Sequence, residues 1–298
     1  MTALLAVLVL ASVLVLATLG LHLTFGMLGL VNLTHGAMLL CGGYAAYVAA
    51  DATGSALVGL GAAICFTALL GLAIEVVFVR RLYDRPLESL VVTFGLTAFI
   101  RQSVILLYGP DPRGLHAPIQ GGLSVGGATV ARWDVVLMGC AVLAMAGFHQ
   151  LLVRTRAGLE CRAAVSDDVL AATSGVRVRL TRCAIFAGGS AVAGLAGALV
   201  APKYTLDSSF GLTLLVYSFF VVMLARPGSL AGIWPAALVV AGVVVGLQYV
   251  VSPVLAQVLA FAVILMLIRV REPALDLARV VLRRRADRGG AVLAQGTR

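Results

Sequence analysis

Charged side chains are scarce in this sequence of 298 residues. Asp, Glu, Lys and Arg together supply 12% of the residues, whereas 61% are apolar. An average soluble domain is roughly 25% charged and about 45–50% apolar. The mean hydropathy of +1.06 reflects the same imbalance. This composition excludes an ordinary soluble domain and an intrinsically disordered chain.

Motifs for catalysis, phosphate binding and metal binding are also missing. A P-loop needs GxxxxGK[ST], but the only lysine, Lys203, follows an Ala-Pro pair. The sequence contains no HExxH motif and no CxxC pair, so we expect its five cysteines to be free thiols. We therefore predict a protein that is not an enzyme and that has no metal site and no cofactor.

Long apolar runs make up most of the chain. A helix needs roughly 20 apolar residues to cross a bilayer, so the chain has room for about nine crossings. The first run lacks a basic n-region and a cleavage site, which predicts a retained span rather than a signal peptide. We predict an all-α fold, a polytopic transmembrane helical bundle of about 8–10 spans. The candidate spans are residues 3–25, 36–50, 54–79, 87–108, 133–153, 183–202, 212–224, 235–250 and 254–270.

Several predicted spans are too short for a full crossing, which predicts broken or re-entrant helices. Glycines and polar side chains separate the first two runs in Phe25-Gly-Met-Leu-Gly-Leu-Val-Asn-Leu-Thr-His-Gly36. Irregular backbone at membrane depth must be buried in protein or line a water-filled path. We therefore assign Asn32, Thr34, His35 and Gly36 to a translocation pathway. The alternative is a short cytoplasmic turn in which Thr34 caps the next helix, with His35 as a hydrogen-bonding partner between helices.

A second interruption lies at Leu224-Ala-Arg-Pro-Gly-Ser-Leu-Ala-Gly-Ile-Trp-Pro235. Pro227 and Pro235 each remove a backbone donor, so a straight helix cannot run through this segment. Small residues follow this break, as they follow the first one. The shared order of span, break and small-residue helix is compatible with a duplicated unit, although no residue-level repeat supports it.

The distribution of basic residues predicts the orientation. The chain has 21 arginines beside one lysine and a formal net charge of +9. Such a balance would suggest nucleic-acid binding in a soluble protein, but these arginines lie in loops between apolar runs, and we predict no nucleic-acid partner. One set of alternate loops, with the C-terminal segment, holds 18 basic residues and the opposite set holds three. The positive-inside rule then places the N-terminus outside and the C-terminus in the cytoplasm.

Charges within the predicted spans are few. Glu75 lies one turn from the cytoplasmic end of its span, where Arg80 or Arg81 offers a local partner. Arg101 lies much deeper in the next span, and we expect its side chain to extend toward Tyr108 and the outer interface rather than toward Glu75. So few fixed charges make a poor proton or ion relay and suit a neutral or zwitterionic solute.

The longest polar segment inside the cell is the loop 154–182. Ser166 is a good N-cap, Asp167 and Asp168 suit the positive first turn, and Gly175 is a good stop signal. We predict one helix of about eight residues that docks a protein partner. The alternative is an amphipathic helix on the membrane surface, which two aspartates facing an anionic leaflet disfavour.

These segments together resemble the branched-chain amino-acid ABC transporter permease family over about residues 17–270. The resemblance rests on Gly29-Leu-Val-Asn-Leu-Thr-His-Gly36, Arg80-Arg-Leu-Tyr-Asp-Arg-Pro-Leu-Glu-Ser-Leu90, the loop Gly158…Gly175 and the pair Gly228-Ser229. One departure is Ala225-Arg226-Pro227, where the family usually has a Gly-Gly pair.

The resemblance implies an inner-membrane permease that pairs with a homologous second permease, two cytoplasmic ATP-binding subunits and an extracytoplasmic solute-binding protein. It places Asn32, His35, Gly228 and Ser229 near the translocation path. It also implies that the helical loop couples the permease to the ATPase. The coupling residues would be Glu160, Arg162, Asp167 and Asp168.

We therefore predict an ABC importer permease, in the bacterial inner membrane, for branched-chain or other small neutral amino acids. Urea and short amides are an alternative substrate class, because Arg85-Pro86-Leu87-Glu88 also resembles urea and amide permeases. A stand-alone secondary transporter is a second alternative. We predict a transmembrane domain over residues 1–270 and a basic cytoplasmic tail over 271–298, which is either an interfacial helix on anionic membrane lipids or a disordered segment.

Overall fold

The computed structural model describes residues 2–83, 85–125, 128–226, 228–252 and 254–270. The predicted basic tail, 271–298, lies outside the described residues. The helices are α1 Thr2–Leu21, α2 Thr34–Thr53, α3 Ala56–Val77, α4 Pro86–Tyr108, α5 Arg132–Arg154, α6 Arg156–Ser166, α7 Asp168–Thr173, α8 Val178–Val200, α9 Phe210–Ala225, α10 Ile233–Gln248 and α11 Val254–Val270. A π-helical turn (His22–Met27), a 3₁₀ turn (Val79–Arg81) and the strands β1 (Gly122–Val125) and β2 (Ala128–Ala131) complete the described elements.

The prediction of an all-α membrane bundle is confirmed. Five helical segments are long and apolar enough to cross a membrane, and three more apolar helices are shorter. Two of the short ones, α9 and α10, have 16 residues each. At 1.5 Å per residue they are about 24 Å long, less than the ~30 Å hydrocarbon core. Helix α2, which corresponds to the predicted span 36–50, is longer than predicted because it has 20 residues.

Helix α8 occupies the centre of the packed unit formed by residues 1–245. It packs against α1, α2 and α3, and glycines allow these helix backbones to approach closely. A Cβ atom on Gly189 would lie 2.9 Å from the carbonyl oxygen of Gly20 in α1, and Gly42 in α2 meets Gly194 in the same way. Such small-residue crossings are typical of membrane helices, which associate by close packing rather than by a hydrophobic driving force.

The connection between α4 and α5 contains a small antiparallel hairpin that the sequence did not predict. Strands β1 and β2 pair from Gly122 opposite Ala131 to Val125 opposite Ala128. Next to it, the indole N–H of Trp133 in α5 donates to the carbonyl of Leu199 in α8 at 3.1 Å. The hairpin is therefore followed by a helix whose first turn is fixed to the central helix.

The residues from Gly246 onward belong to a second unit, whose described part ends at residue 270. Its main element is α11, with 17 residues and an apolar composition. The prediction of a domain boundary at residue 270 stays a prediction.

Candidate functional site

The first predicted break lies where α1 passes into a π-helical turn and then into irregular backbone before α2. Gly26 makes room for the ring of His22, because an added Cβ would lie 2.8 Å from Nδ1. Gly29 has a φ of 68°, a conformation that side chains with a Cβ rarely adopt. π-helical turns are rare and frequently occur at functional sites.

Helix α2 begins at Thr34, so Thr34 is its first residue rather than its cap; Leu33 occupies the N-cap position without a side-chain cap bond. The Asn32 side-chain oxygen accepts a hydrogen bond from the Thr34 backbone N–H at 3.0 Å and another from the Thr34 hydroxyl. Both side chains are fully buried. The alternative in which Thr34 caps the helix is therefore wrong, and both side chains satisfy each other inside the protein.

Thr93 in α4 holds the irregular backbone in place, a role that the sequence did not indicate. Its hydroxyl accepts from the Leu33 N–H at 3.3 Å and lies 3.3 Å from the Val31 carbonyl and 2.8 Å from the Ser89 carbonyl of its own helix. Thr93 is fully buried, although most of α4 is exposed in the isolated chain. Backbone groups at membrane depth need such partners because no bulk water is there to bind them.

His35 and Gly36 have packing partners in neighbouring helices. The His35 Nε2 lies 2.8 Å from the Ala17 carbonyl of α1, so this nitrogen carries the proton and donates. An added Cβ on Gly36 would lie 2.8 Å from the Gly211 carbonyl oxygen, which places a tight crossing of α2 and α9 at this residue. The reading of His35 as a satisfied partner between helices agrees with this geometry, and its assignment to the pathway stays a prediction.

The second predicted break adjoins the first. After α9 ends, Arg226 and Gly228 both have positive φ values, 74° and 85°. An added Cβ on Gly228 would lie 3.6 Å from the Gly26 carbonyl oxygen, so the two breaks touch. The Ser229 N–H donates to the Arg226 carbonyl at 3.1 Å, which closes a turn. The rings of Phe25 and Phe219, 5.0 Å apart, pack beside this junction.

Three buried polar atoms on the helices of the breaks have no hydrogen-bond partner in the described part of the chain. They are Thr18 Oγ1, His22 Nδ1 and Ser218 Oγ. Thr18 lies one turn before His22 on α1, and the His22 ring contacts Phe148 of α5 edge-on at 6.5 Å. A buried polar group without a partner is uncommon and is satisfied by a water or a ligand when one is bound.

The loop 154–182 contains two helices, α6 and α7, where one was predicted. Ser166 is the last residue of α6 and bonds back to the Arg162 carbonyl, so its assignment as an N-cap is wrong. Asp167 is the N-cap instead, and its carboxylate accepts from the Leu170 N–H at 2.9 Å. Gly175 follows α7 with a φ of 87°, in agreement with its predicted role as a stop signal.

The four predicted coupling residues have different surroundings. Asp167 is used as a cap, and Asp168 forms an ion pair with Arg182 at 3.1 Å. Glu160 lines an open groove of about 430 Å³ between α6, the α7–α8 connection and the first turns of α8. Arg162 is exposed on α6. Among the large apolar side chains of α6 and α7, the most exposed are those of Leu159, Val169 and Leu170.

The local pair predicted for Glu75 is confirmed, and Arg101 does not pair with Glu75, as expected. That Arg101 extends toward the outer interface stays a prediction. Glu75 is 1% exposed and pairs with Arg80 at 3.4 Å. Arg101 bonds to the Ser208 hydroxyl at 3.1 Å, and the carbonyl of Tyr108 is bound by Arg113 instead. Long arginine side chains reach the nearest polar group, and the loop after α8 supplies one that the sequence did not reveal.

All five cysteines are free thiols, as predicted. Among the described residues, no cluster of three His, Cys, Asp or Glu side chains could hold a metal ion.

Residues 3–268 match the sequence profile of the family described as "Branched-chain amino acid transport system / permease component". The chain belongs to this branched-chain permease family. It is 24% identical over 235 residues to the permease protein BraD of the high-affinity branched-chain amino acid transport system of Pseudomonas aeruginosa, covering 73% of this chain and 76% of BraD. It is 26% identical over 239 residues to the corresponding permease protein LivH of Escherichia coli K12, covering 75% of this chain and 78% of LivH. No solved structure matches the chain.

Membership of the branched-chain permease family agrees with the apolar helices of the structure. The protein is a multi-pass membrane permease, and its known relatives are transport components rather than enzymes. The resemblance noted in the sequence is thus confirmed for the family. The roles of individual residues stay predictions.

Proposed function

We propose that this permease is the membrane subunit of an ABC importer that moves branched-chain or other small neutral amino acids into the cell. The observation that carries the proposal is the meeting of two helix breaks in a member of the branched-chain permease family. The first break contains no Asp, Glu, Lys or Arg. The uncharged residues of this break, Asn32, Thr34 and His35, and the unpartnered polar atoms of Thr18, His22 and Ser218 beside it suit a solute with no net charge.

The power source in this proposal is ATP hydrolysis on two cytoplasmic ATP-binding subunits, because the chain has no P-loop of its own. They would dock on the α6–α7 surface, defined as Leu159, Glu160, Arg162, Val169 and Leu170. This surface offers apolar side chains at 60–71% exposure beside one acidic and one basic residue. A homologous second permease and an extracytoplasmic solute-binding protein complete the proposed importer.

The experiment is reconstitution of the permease with its partner subunits in proteoliposomes. We expect ATP-dependent uptake of leucine, isoleucine or valine in the presence of the binding protein. Uptake of urea or a short amide instead would assign the alternative substrate class. Uptake by the chain alone, abolished by an ionophore and indifferent to ATP, would refute the importer and support a secondary transporter.

Docking on the α6–α7 surface is tested by Val169→Glu, which places a charge on an exposed apolar position. We expect the variant to lose the ATP-binding subunits in co-purification, because a buried unpaired charge opposes association. Val169→Ile is the matched control and should retain them. Equal co-purification of both variants would refute this docking site.

The proposed orientation has the N-terminus outside and the C-terminus in the cytoplasm. A fluorescent protein fused after residue 298 should fluoresce, since it folds in the cytoplasm. An alkaline phosphatase fused after residue 115, in the connection between α4 and α5, should be active because it folds outside. The opposite pattern would reverse the orientation.

A further inference from the structure

Six side chains meet where the ends of α3, α7 and α8 lie close together. We call this group the junction cluster and define it as Glu75, Arg80, Tyr83, Asp168, Arg182 and Cys183. It lies beside the α6–α7 surface but not on it, because five of its six members are bonded to one another within the chain.

Arg182 joins three elements through one guanidinium group. Its Nη2 lies 3.1 Å from the Asp168 carboxylate, which connects α8 to α7. The guanidinium carbon lies 5.0 Å from the ring centroid of Tyr83, which connects α8 to the segment between α3 and α4. Arg182 is therefore the only side chain of the junction cluster for which the described contacts reach both α7 and the α3–α4 segment.

Glu75 in α3 contacts α8 at Cys183, the residue that follows Arg182. The Cys183 thiol donates to Glu75 Oε2 at 2.8 Å, and the same oxygen pairs with Arg80 at 3.4 Å. The two helices also pack tightly further on, where an added Cβ on Gly71 would overlap Ser190. A displacement of the first turn of α8 is thus passed to α3 through buried contacts rather than absorbed.

Three buried polar atoms of the junction cluster have no partner in this conformation. They are Glu75 Oε1, Arg80 Nε and Tyr83 Oη. Burial, with the nearby Glu75 carboxylate as the next cause, raises the pKa of Tyr83, so the phenol keeps its proton and remains a donor. A buried phenol donor and a buried carboxylate acceptor are complementary, and the cluster therefore has the groups for a second hydrogen-bond arrangement.

We propose that the junction cluster is a relay that passes movement of α7 to α3 and α8, with Arg182 as its positioning residue. This inference rests on the proposed function, because the movement originates in ATP-binding subunits docked on the α6–α7 surface. In this scheme Asp168 acts within the chain, as the attachment of α7 to the relay, rather than as a contact of the partner. The two helices that receive the movement flank α2, which begins at the first break.

The test measures the ratio of solute imported to ATP hydrolysed by the complete importer in proteoliposomes. In Arg182→Met we expect assembly and ATP hydrolysis to persist, while the ratio falls about 5-fold or more, the lower end of typical coupling between sites. Arg182→Lys keeps the charge and should retain a larger part of the ratio. Arg179→Met, an exposed arginine on the same turn of α8, is the matched control and should leave the ratio unchanged.

Asp168→Asn gives an independent reading, because it changes only a half-exposed carboxylate. We expect a reduced ratio, and the Asp168→Asn/Arg182→Met double variant should be no worse than Arg182→Met alone. Wild-type ratios in both single variants, or additive losses in the double variant, overturn the relay. If Arg182→Met does not assemble, a wild-type ratio in Asp168→Asn alone overturns it. Absence of ATP-dependent uptake by the wild-type importer is a different result, which refutes the proposed function instead.

Discussion

Two adjacent glycines in α8 allow the packing of α8 on α1 to be tested with matched substitutions. An added Cβ on Gly189 would lie 2.9 Å from the Gly20 backbone carbonyl oxygen, closer than real Cβ atoms come, and 3.0 Å from Thr24 Cγ2. An added Cβ on Gly188 would meet only Leu23 Cδ1, at 3.9 Å, an ordinary contact. Both substitutions by alanine gain the same helix propensity, about 1 kcal/mol. The difference between them is therefore the cost of overpacking, about 1–3 kcal/mol.

The assay is the midpoint of thermal inactivation of the purified protein in detergent. We expect Gly189→Ala to inactivate at a lower temperature than Gly188→Ala, by about 2–4 °C for each kcal/mol. Gly188→Ala should be at least as stable as the wild type. If the two variants have the same midpoint, α1 and α8 are not held in the close approach described above, and the reasoning from glycine crossings fails.

Three further substitutions test local features. Thr93→Val leaves the part-buried Leu33 backbone N–H of the first break without a partner and should lower the thermal midpoint, at a cost of about 1–3 kcal/mol. Thr97→Val removes only a bond within its own helix and should cost little, so equal losses in the two variants would contradict the role of Thr93. Asp167→Ala removes the α7 N-cap, which should destabilise the loop by about 1 kcal/mol and speed its proteolysis. Asp167→Asn keeps a capping side chain and should be cleaved more slowly, so equal cleavage of the two variants would disprove the cap. Arg226→Gly should raise the thermal midpoint because it relieves a positive φ, and a similar rise in Arg226→Ala, which keeps a Cβ, would show that the backbone there is not strained.

The sequence predicted the helices well because hydropathy and helix punctuation act locally. In the described part of the chain each of the nine predicted spans corresponds to a helix, eight of them apolar enough to be membrane helices, and both breaks lie where glycine and proline interrupt the runs. The sequence could not predict that the two breaks touch. That contact joins Gly26 and Gly228, which are 202 positions apart, and depends on how α1 and α9 pack. Thr93 was missed for the same reason, since its partner lies on another element.

The loop 154–182 shows the limit of local signals within a short segment. Ser166 and Asp167 have nearly equal N-cap preferences, so propensity alone could not choose between them. The structure chooses Asp167 because α6 continues through Ser166 and the chain turns after it. The pairing of Asp168 with Arg182 also required knowledge of the turn between α7 and α8. The aspartates were identified as important, but their partners within the chain were not.

The central position of α8 has a consequence for biogenesis. Helices α1, α2 and α3 all pack on α8, yet about 100 residues separate the end of α3 from its start. At roughly 5–20 residues per second, the ribosome needs about 5–20 s to synthesise that interval. During this time the surfaces of the first three helices that contact α8 in the folded protein lack that neighbour; they include Thr67, which meets Gly194, and the Glu75 oxygen that accepts from Cys183. The insertion machinery must therefore shelter a half-built bundle until α8 leaves the ribosome.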